Sequence, residues 1–138
     1  MKAKKKIVII TDNSAVTRGI AENIKAVFDG AQFANWSPKV IGAQEFIATE
    51  ILPAHAFIIG TEKPESPDFA HVKELFQHIN LAGRPCGVFS SQTSSIKYLA
   101  GLVRDSEAAL GSPLVAKNGL AGKRELQKWV KGILGDKA

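Results

Sequence analysis

This sequence offers almost nothing to thiol chemistry. Cys86 is its one cysteine, which excludes an internal disulfide and a cysteine-based zinc site. No apolar run approaches the length of a membrane-spanning helix. The basic start, Met1 to Lys6, precedes an apolar run of only four residues, Ile7-Val8-Ile9-Ile10, which ends at Thr11-Asp12, so a secretory leader is not expected. These absences make a cytoplasmic protein without a membrane partner the expectation. The sequence also lacks G-x-G-x-x-G, G-x-x-x-x-G-K-[ST] and G-x-S-x-G; Gly122-Lys123-Arg124 has neither the earlier glycine nor the hydroxyl of a phosphate loop. No cluster of histidines or carboxylates has metal-ligand spacing.

The net charge of +5 suggests nucleic acid until it is located along the chain. Lys2, Lys4, Lys5 and Lys6 supply four of the 18 basic residues, which leaves 14 against 13 acidic ones. The rest of the chain is therefore nearly neutral, and the lysine run reads as a solvated start to the first strand. Basic residues are not interleaved with aromatics as they are on RNA-binding sheets, so nucleic acid is not an expected partner. At 138 residues, of which 45% are hydrophobic, residues 1–138 read as a single domain with a real core.

The stretch from Lys6 to Phe28 organises what is present. Ile7 to Ile10 is short and β-branched, as a fully buried strand requires. The polar turn Thr11-Asp12-Asn13-Ser14 follows, and then Val16, Ile20, Ile24, Val27 and Phe28 recur at helical spacing. A buried strand that breaks into an amphipathic helix is the first half of a βαβ unit, and the turn between them favours ligands of negative charge.

Beyond Gly30, residues 31–37 form a weak strand candidate ended by Pro38. Val40 to Leu52 is ambiguous, with Phe46, Ile47, Ile51 and Leu52 as a short helix face before Pro53. Ala54 to Gly60 is a second buried strand, followed by a polar loop over 61–66. Ser66-Pro67 starts a helix whose inner face is Phe69, Val72, Leu75, Phe76 and Ile79, with His71 and His78 off it. Cys86 to Phe89 is a third buried strand, in which Cys86 is a small core residue. The polar loop 90–95 leads into a helix with Ile96, Leu99, Leu102 and Val103 inward. Leu114-Val115-Ala116 is the last strand, and Asn118-Gly119 a turn. The closing helix buries Leu126, Trp129, Val130, Ile133 and Leu134 and carries Lys123, Arg124, Lys128 and Lys131 off that face.

This alternation predicts an α/β fold, a three-layer α/β/α sandwich on a five-stranded parallel sheet in the order 2-1-3-4-5. In that order the loops 11–17, 60–66 and 90–95 can meet at one end of the sheet, and all three are rich in hydroxyl or amide side chains.

The residues from His55 to Ser91, HAFIIGTEKPESPDFAHVKELFQHINLAGRPCGVFSS, resemble the central stretch of the flavodoxin family. They share a buried strand ending in glycine, a polar loop with proline, a helix, and Gly-Arg-Pro before a strand ending in phenylalanine. SSIKYLAGLV resembles that family's next helix, and the resemblance covers nearly the whole chain. It implies non-covalent FMN binding and electron transfer with a redox or other protein partner. The family's phosphate loop, Thr/Ser-x-Thr-Gly-x-Thr, falls on Asp12 to Thr17, where Ser14 and Thr17 match. The resemblance therefore implies that Asn13, Ser14, Ala15, Val16 and Thr17 hold the phosphate of FMN or another phosphate-bearing ligand. Thr61, Glu62 and Lys63 would border the flavin ring on one side, with Ser90, Ser91, Gln92 and Thr93 on the other.

The sequence departs from that pattern in three ways. Asp12 brings a carboxylate where the family has a hydroxyl, and Ala15 replaces a glycine that allows close approach of the backbone. Residues 61–66 and 90–95 hold no aromatic; the aromatics nearest to such loops in sequence are Trp36 and Tyr98, for which packing is the more economical role. These departures motivate an alternative, a non-catalytic module of the same fold that binds a protein partner without flavin. IVIITDNSAVTRGI also resembles the start of response-regulator receiver domains. There Asp12 matches one metal-binding acid, but Asn13 replaces its neighbour and Gly60 stands at the phosphoacceptor position. Ser90 and Lys117 stand at that family's hydroxyl and lysine positions, so this resemblance implies a degenerate receiver at most.

Overall fold

A computed structural model describes residues 5–12, 14–43, 54–62, 70, 72, 74, 76, 83–106, 108–116 and 121–134. The strands are β1 (Lys5–Thr11), β2 (Trp36–Gly42), β3 (Ala56–Gly60), β4 (Pro85–Ser90), β5 (Ala109–Leu110) and β6 (Leu114–Val115). The helices are α1 (Ala15–Val27), α2 (Thr93–Asp105) and α3 (Lys123–Leu134), and Ala70, Val72, Glu74 and Phe76 are also helical. The strands form one parallel sheet in the order β2-β1-β3-β4-β5, with β6 also paired to β4. The fold is therefore the α/β architecture that the alternation predicts, in the expected 2-1-3-4-5 order.

The period of two in each strand divides the core into two layers. Ile7, Ile9, Ala56, Ile58 and Phe89 face one layer with Ile20, Ile24, Leu126, Trp129 and Val130 from α1 and α3. Val8, Ile10, Phe57, Ile59 and Val88 face the other with Val72, Phe76, Leu99 and Val103. A strand covered on both faces must be apolar at every position, which is why Ile7 to Ile10 reads as one run. The inner face of α3 is the one its sequence spacing predicts.

Two strands differ from expectation. β2 runs through Pro38 to Gly42 and absorbs Val40 and Ile41, while residues 31–33 form a single 3-10 turn. Proline is tolerated because β2 is an edge strand, and amides on its outer side need no partner. The fifth strand position is split: Ala109–Leu110 pairs with Pro85–Cys86, and Leu114–Val115 with Phe89–Ser90. A two-residue strand has no periodic signal, so Ala109–Leu110 is silent in the sequence. The short helix face of Phe46, Ile47, Ile51 and Leu52, the start of the helix at 66–69, both its histidines and the turn at 118–119 lie outside the described residues.

Two glycines are required by close approach. A Cβ on Gly60 would overlap the tip of the Phe89 ring. A Cβ on Gly87 would overlap Cδ1 of Ile133 and lie 3.0 Å from Trp129, so Gly87 lets α3 settle on β4. Gly60→Ala should destabilise the protein by about 1–3 kcal/mol through overpacking, read as a lower urea midpoint; an unchanged midpoint would show that the ring can swing aside. Burial pushes the Cys86 thiol well above its ordinary range. Its reaction with a thiol reagent at mild alkaline pH should therefore track unfolding, and prompt labelling of the folded protein would contradict its place in the core.

Candidate functional site

β1, β3 and β4 all run the same way and end at Thr11, Gly60 and Ser90, so the loops that follow share the carboxyl edge of the sheet. Hydrogen bonds join the three loops directly. The Asp12 carboxylate, 3% exposed, accepts from the Ser14 amide at 3.0 Å, the Thr61 hydroxyl at 2.6 Å and the Glu62 amide at 2.9 Å. Ser14 donates its hydroxyl to the Glu62 carboxylate. Ser95 Oγ, in the first turn of α2, donates to the Glu62 carbonyl at 2.9 Å.

Local sequence accounts for each placement. Ser14 is the N-cap of α1, with extended backbone at φ −65° and ψ 133°, and its Oγ accepts from the Thr17 amide at 3.4 Å. Asp12 lies two residues earlier, where a short acidic side chain can turn back to the Ser14 amide. Beyond β4, the Gln92 amide donates to Ser90 Oγ at 2.9 Å, while Gln92 precedes α2 without a side-chain cap.

The structure thus brings together Ser14, Thr61 and Glu62, and places Ala15, Val16 and Thr17 on the adjoining first turn of α1. Ser90, Ser91, Gln92 and Thr93 follow on the loop that Ser95 ties to Glu62. Asn13 and Lys63 lie outside the described residues. Asp12 is turned inward and accepts from three donors. Of the four backbone amides from 14 to 17, those of Ser14 and Thr17 are committed to Asp12 and to Ser14 Oγ. Only the Ala15 and Val16 amides have no such partner among the described residues, as the geometry of a helix start allows. Val16, placed by its spacing on the inner face of α1, is 38% exposed, because that face runs through Thr17, Ile20, Ala21, Ile24 and Val27.

Three hydroxyls at this edge are buried without a partner among the described residues: Thr11 Oγ1 at the end of β1, Thr17 Oγ1 on α1 and Ser91 Oγ after β4. Trp36 is at the opposite edge, paired with Lys5 at the start of β1. Six residues of strand, about 20 Å, separate it from the loops. Tyr98 sits against the α2-side core, and burial raises its pKa. The receiver-like arrangement fails on space as well as charge, because the Phe89 ring fills the volume beside Gly60. Lys117 lies outside the described residues, and among those described no three His, Cys, Asp or Glu residues are grouped to hold a metal. No described helix is long and apolar enough to cross a membrane.

Glu62 as the common partner of all three loops had no signal in the sequence, since its contacts lie 33 to 50 residues away. Ser95 was likewise unmarked; a serine in the first turn of a helix is too ordinary to stand out.

The fold places the chain among known structures. Oxidised flavodoxin 2 of Bacillus cereus superposes with a TM-score of 0.74 at 14% identity, over 94% of this chain and 97% of that one. A flavodoxin variant of Pseudomonas aeruginosa gives 0.71 at 12% identity, over 94% and 99%. A short-chain flavodoxin associated with a bacterial microcompartment gives 0.71 at 10% identity, over 94% and 97%. No protein-family model and no curated sequence matches the chain. The chain is flavodoxin-like in fold, from its first strand to its last helix.

If Asp12 is the knot between the first two loops, Asp12→Asn should loosen it. Whichever way the amide turns, an NH₂ group faces an N–H or O–H donor. The expected loss is about 2 kcal/mol in urea denaturation, in line with bonds to a charged acceptor. An unchanged midpoint would mean that the loops are held elsewhere.

Proposed function

We propose that the chain is a flavodoxin-like electron carrier that holds FMN non-covalently at the carboxyl edge of the sheet. The observation that carries this reading is the set of partnerless buried hydroxyls at this edge, Thr11 Oγ1, Thr17 Oγ1 and Ser91 Oγ, of which the last two lie on segments that would embrace the cofactor. A buried hydroxyl left unsatisfied is costly, and a ligand rich in phosphate, hydroxyl and carbonyl groups can satisfy it. Similarity of fold along nearly the full length of flavodoxins supports the same reading.

In this reading the Ser14 and Thr17 hydroxyls and the Ala15 and Val16 amides hold the phosphate at the positive end of α1. Asp12 does not oppose it, because its charge is buried and answered by three donors. Thr61 and Glu62 border the ring on one side and Ser90 to Thr93 on the other. FMN, when bound, supplies the redox chemistry; the chain supplies orientation and hydrogen bonds. With no aromatic among the described loop residues to stack on the ring, binding depends more heavily on these polar contacts than on ring stacking.

A second reading, a cofactor-free module that binds a protein partner, is favoured by one observation: Ser14 already gives its proton to Glu62. Titration of FMN separates the two. The first reading expects quenching of flavin fluorescence and a shifted visible band, with a dissociation constant in the micromolar range. It also expects weaker binding when Ser14 and Thr17 are both changed to alanine. A folded protein that neither quenches nor shifts FMN would overturn it and leave the partner-binding module.

A further inference from the structure

We propose that Glu62 is a built-in competitor for the phosphate seat, setting how strongly this site accepts phosphate-bearing ligands over their dephosphorylated forms. The inference rests on the reading of the α1 start as the phosphate cradle. It concerns a residue that the family pattern does not place there.

A serine hydroxyl has one proton to donate. Ser14 spends it on the Glu62 carboxylate, while its oxygen accepts from the Thr17 amide. A phosphate at the same cap would need that proton, so the two anions cannot both receive it. Charge adds to the competition. The N-terminus of a helix favours one negative group, and Glu62 supplies it from within the chain. A phosphate beside an ionised carboxylate meets like charge at short range. The cap is also not filled by Glu62 alone: the Thr17 hydroxyl, 1% exposed, sits on the same first turn with no partner among the described residues. The Glu62 side chain answers Ser14 and leaves Thr17 unanswered.

The backbone makes the side chain expendable. Glu62 N donates to Asp12 and Glu62 O accepts from Ser95, so the three loops remain tied when the side chain is removed. Glu62 can thus swing out, or be substituted, without undoing the site. A ligand without phosphate never contests Ser14, so for it the Glu62 side chain counts only as a border of the ring.

The test compares the unmodified chain with Glu62→Ala and Glu62→Gln, using inorganic phosphate, FMN and riboflavin as probes. Glu62→Ala should raise the ratio of FMN to riboflavin affinity about tenfold over the unmodified chain, the effect expected of freeing one charge-assisted bond and one repulsion. Riboflavin presents no phosphate but shares the ring that Glu62 borders, so the ring's share of any change is common to both ligands and cancels in that ratio. Inorganic phosphate should raise the melting midpoint of Glu62→Ala more than that of the unmodified chain. Glu62→Gln, which keeps the shape and an acceptor for Ser14 but loses the charge, should fall between the two. Melting each variant without added anion checks that it folds. Equal phosphate responses and equal FMN-to-riboflavin ratios in all three proteins would overturn the assignment. Phosphate discrimination with no flavin binding in any of them would uphold Glu62 as the competitor and remove the FMN reading instead.

Discussion

The carboxyl edge of this protein depends on one buried carboxylate. Asp12 is almost without solvent contact and accepts three hydrogen bonds, from its own loop and from the loop after β3. Burying a charge is costly unless donors replace the lost water, and three well-placed donors do so here. Because Thr61 and Glu62 are held by Asp12, the Glu62 carbonyl is in place for Ser95, and the loop after β4 is drawn into the same network. The site is thus a chain of dependencies that starts at the end of β1.

Much of the fold was legible from its residues. Ile7 to Ile10, Phe57 to Ile59 and Cys86 to Phe89 are short apolar runs because helices cover both faces of the sheet, and a solvent-facing strand would alternate instead. The inner faces of α2 and α3 followed from spacing. What escaped was whatever depended on context. Pro38 reads as a stop but sits within an edge strand; Val16 fits a helical stripe but lies outside the buried face. Ala109–Leu110 is too short to carry a pattern.

The candidate site was legible in location and not in wiring. Loops rich in hydroxyls at a common edge could be inferred from strand order. That Asp12 would turn inward, or that Glu62 would cap Ser14, depends on pairs nearly fifty positions apart. Asp12, which departs from the family pattern, is a brace between two loops. The side chain that accepts from Ser14 is that of Glu62, whose sequence context is an ordinary polar loop.

The two edges of the sheet have a consequence for the protein's behaviour at high concentration. One edge is β2, interrupted by Pro38 and carrying the exposed Lys39; the other is divided into two pairs of residues by Gly111-Ser112-Pro113. Neither offers the long, regular row of amides and carbonyls that another chain needs to add a strand. A sheet so apolar at its centre is thereby shielded at both margins from growing into fibres.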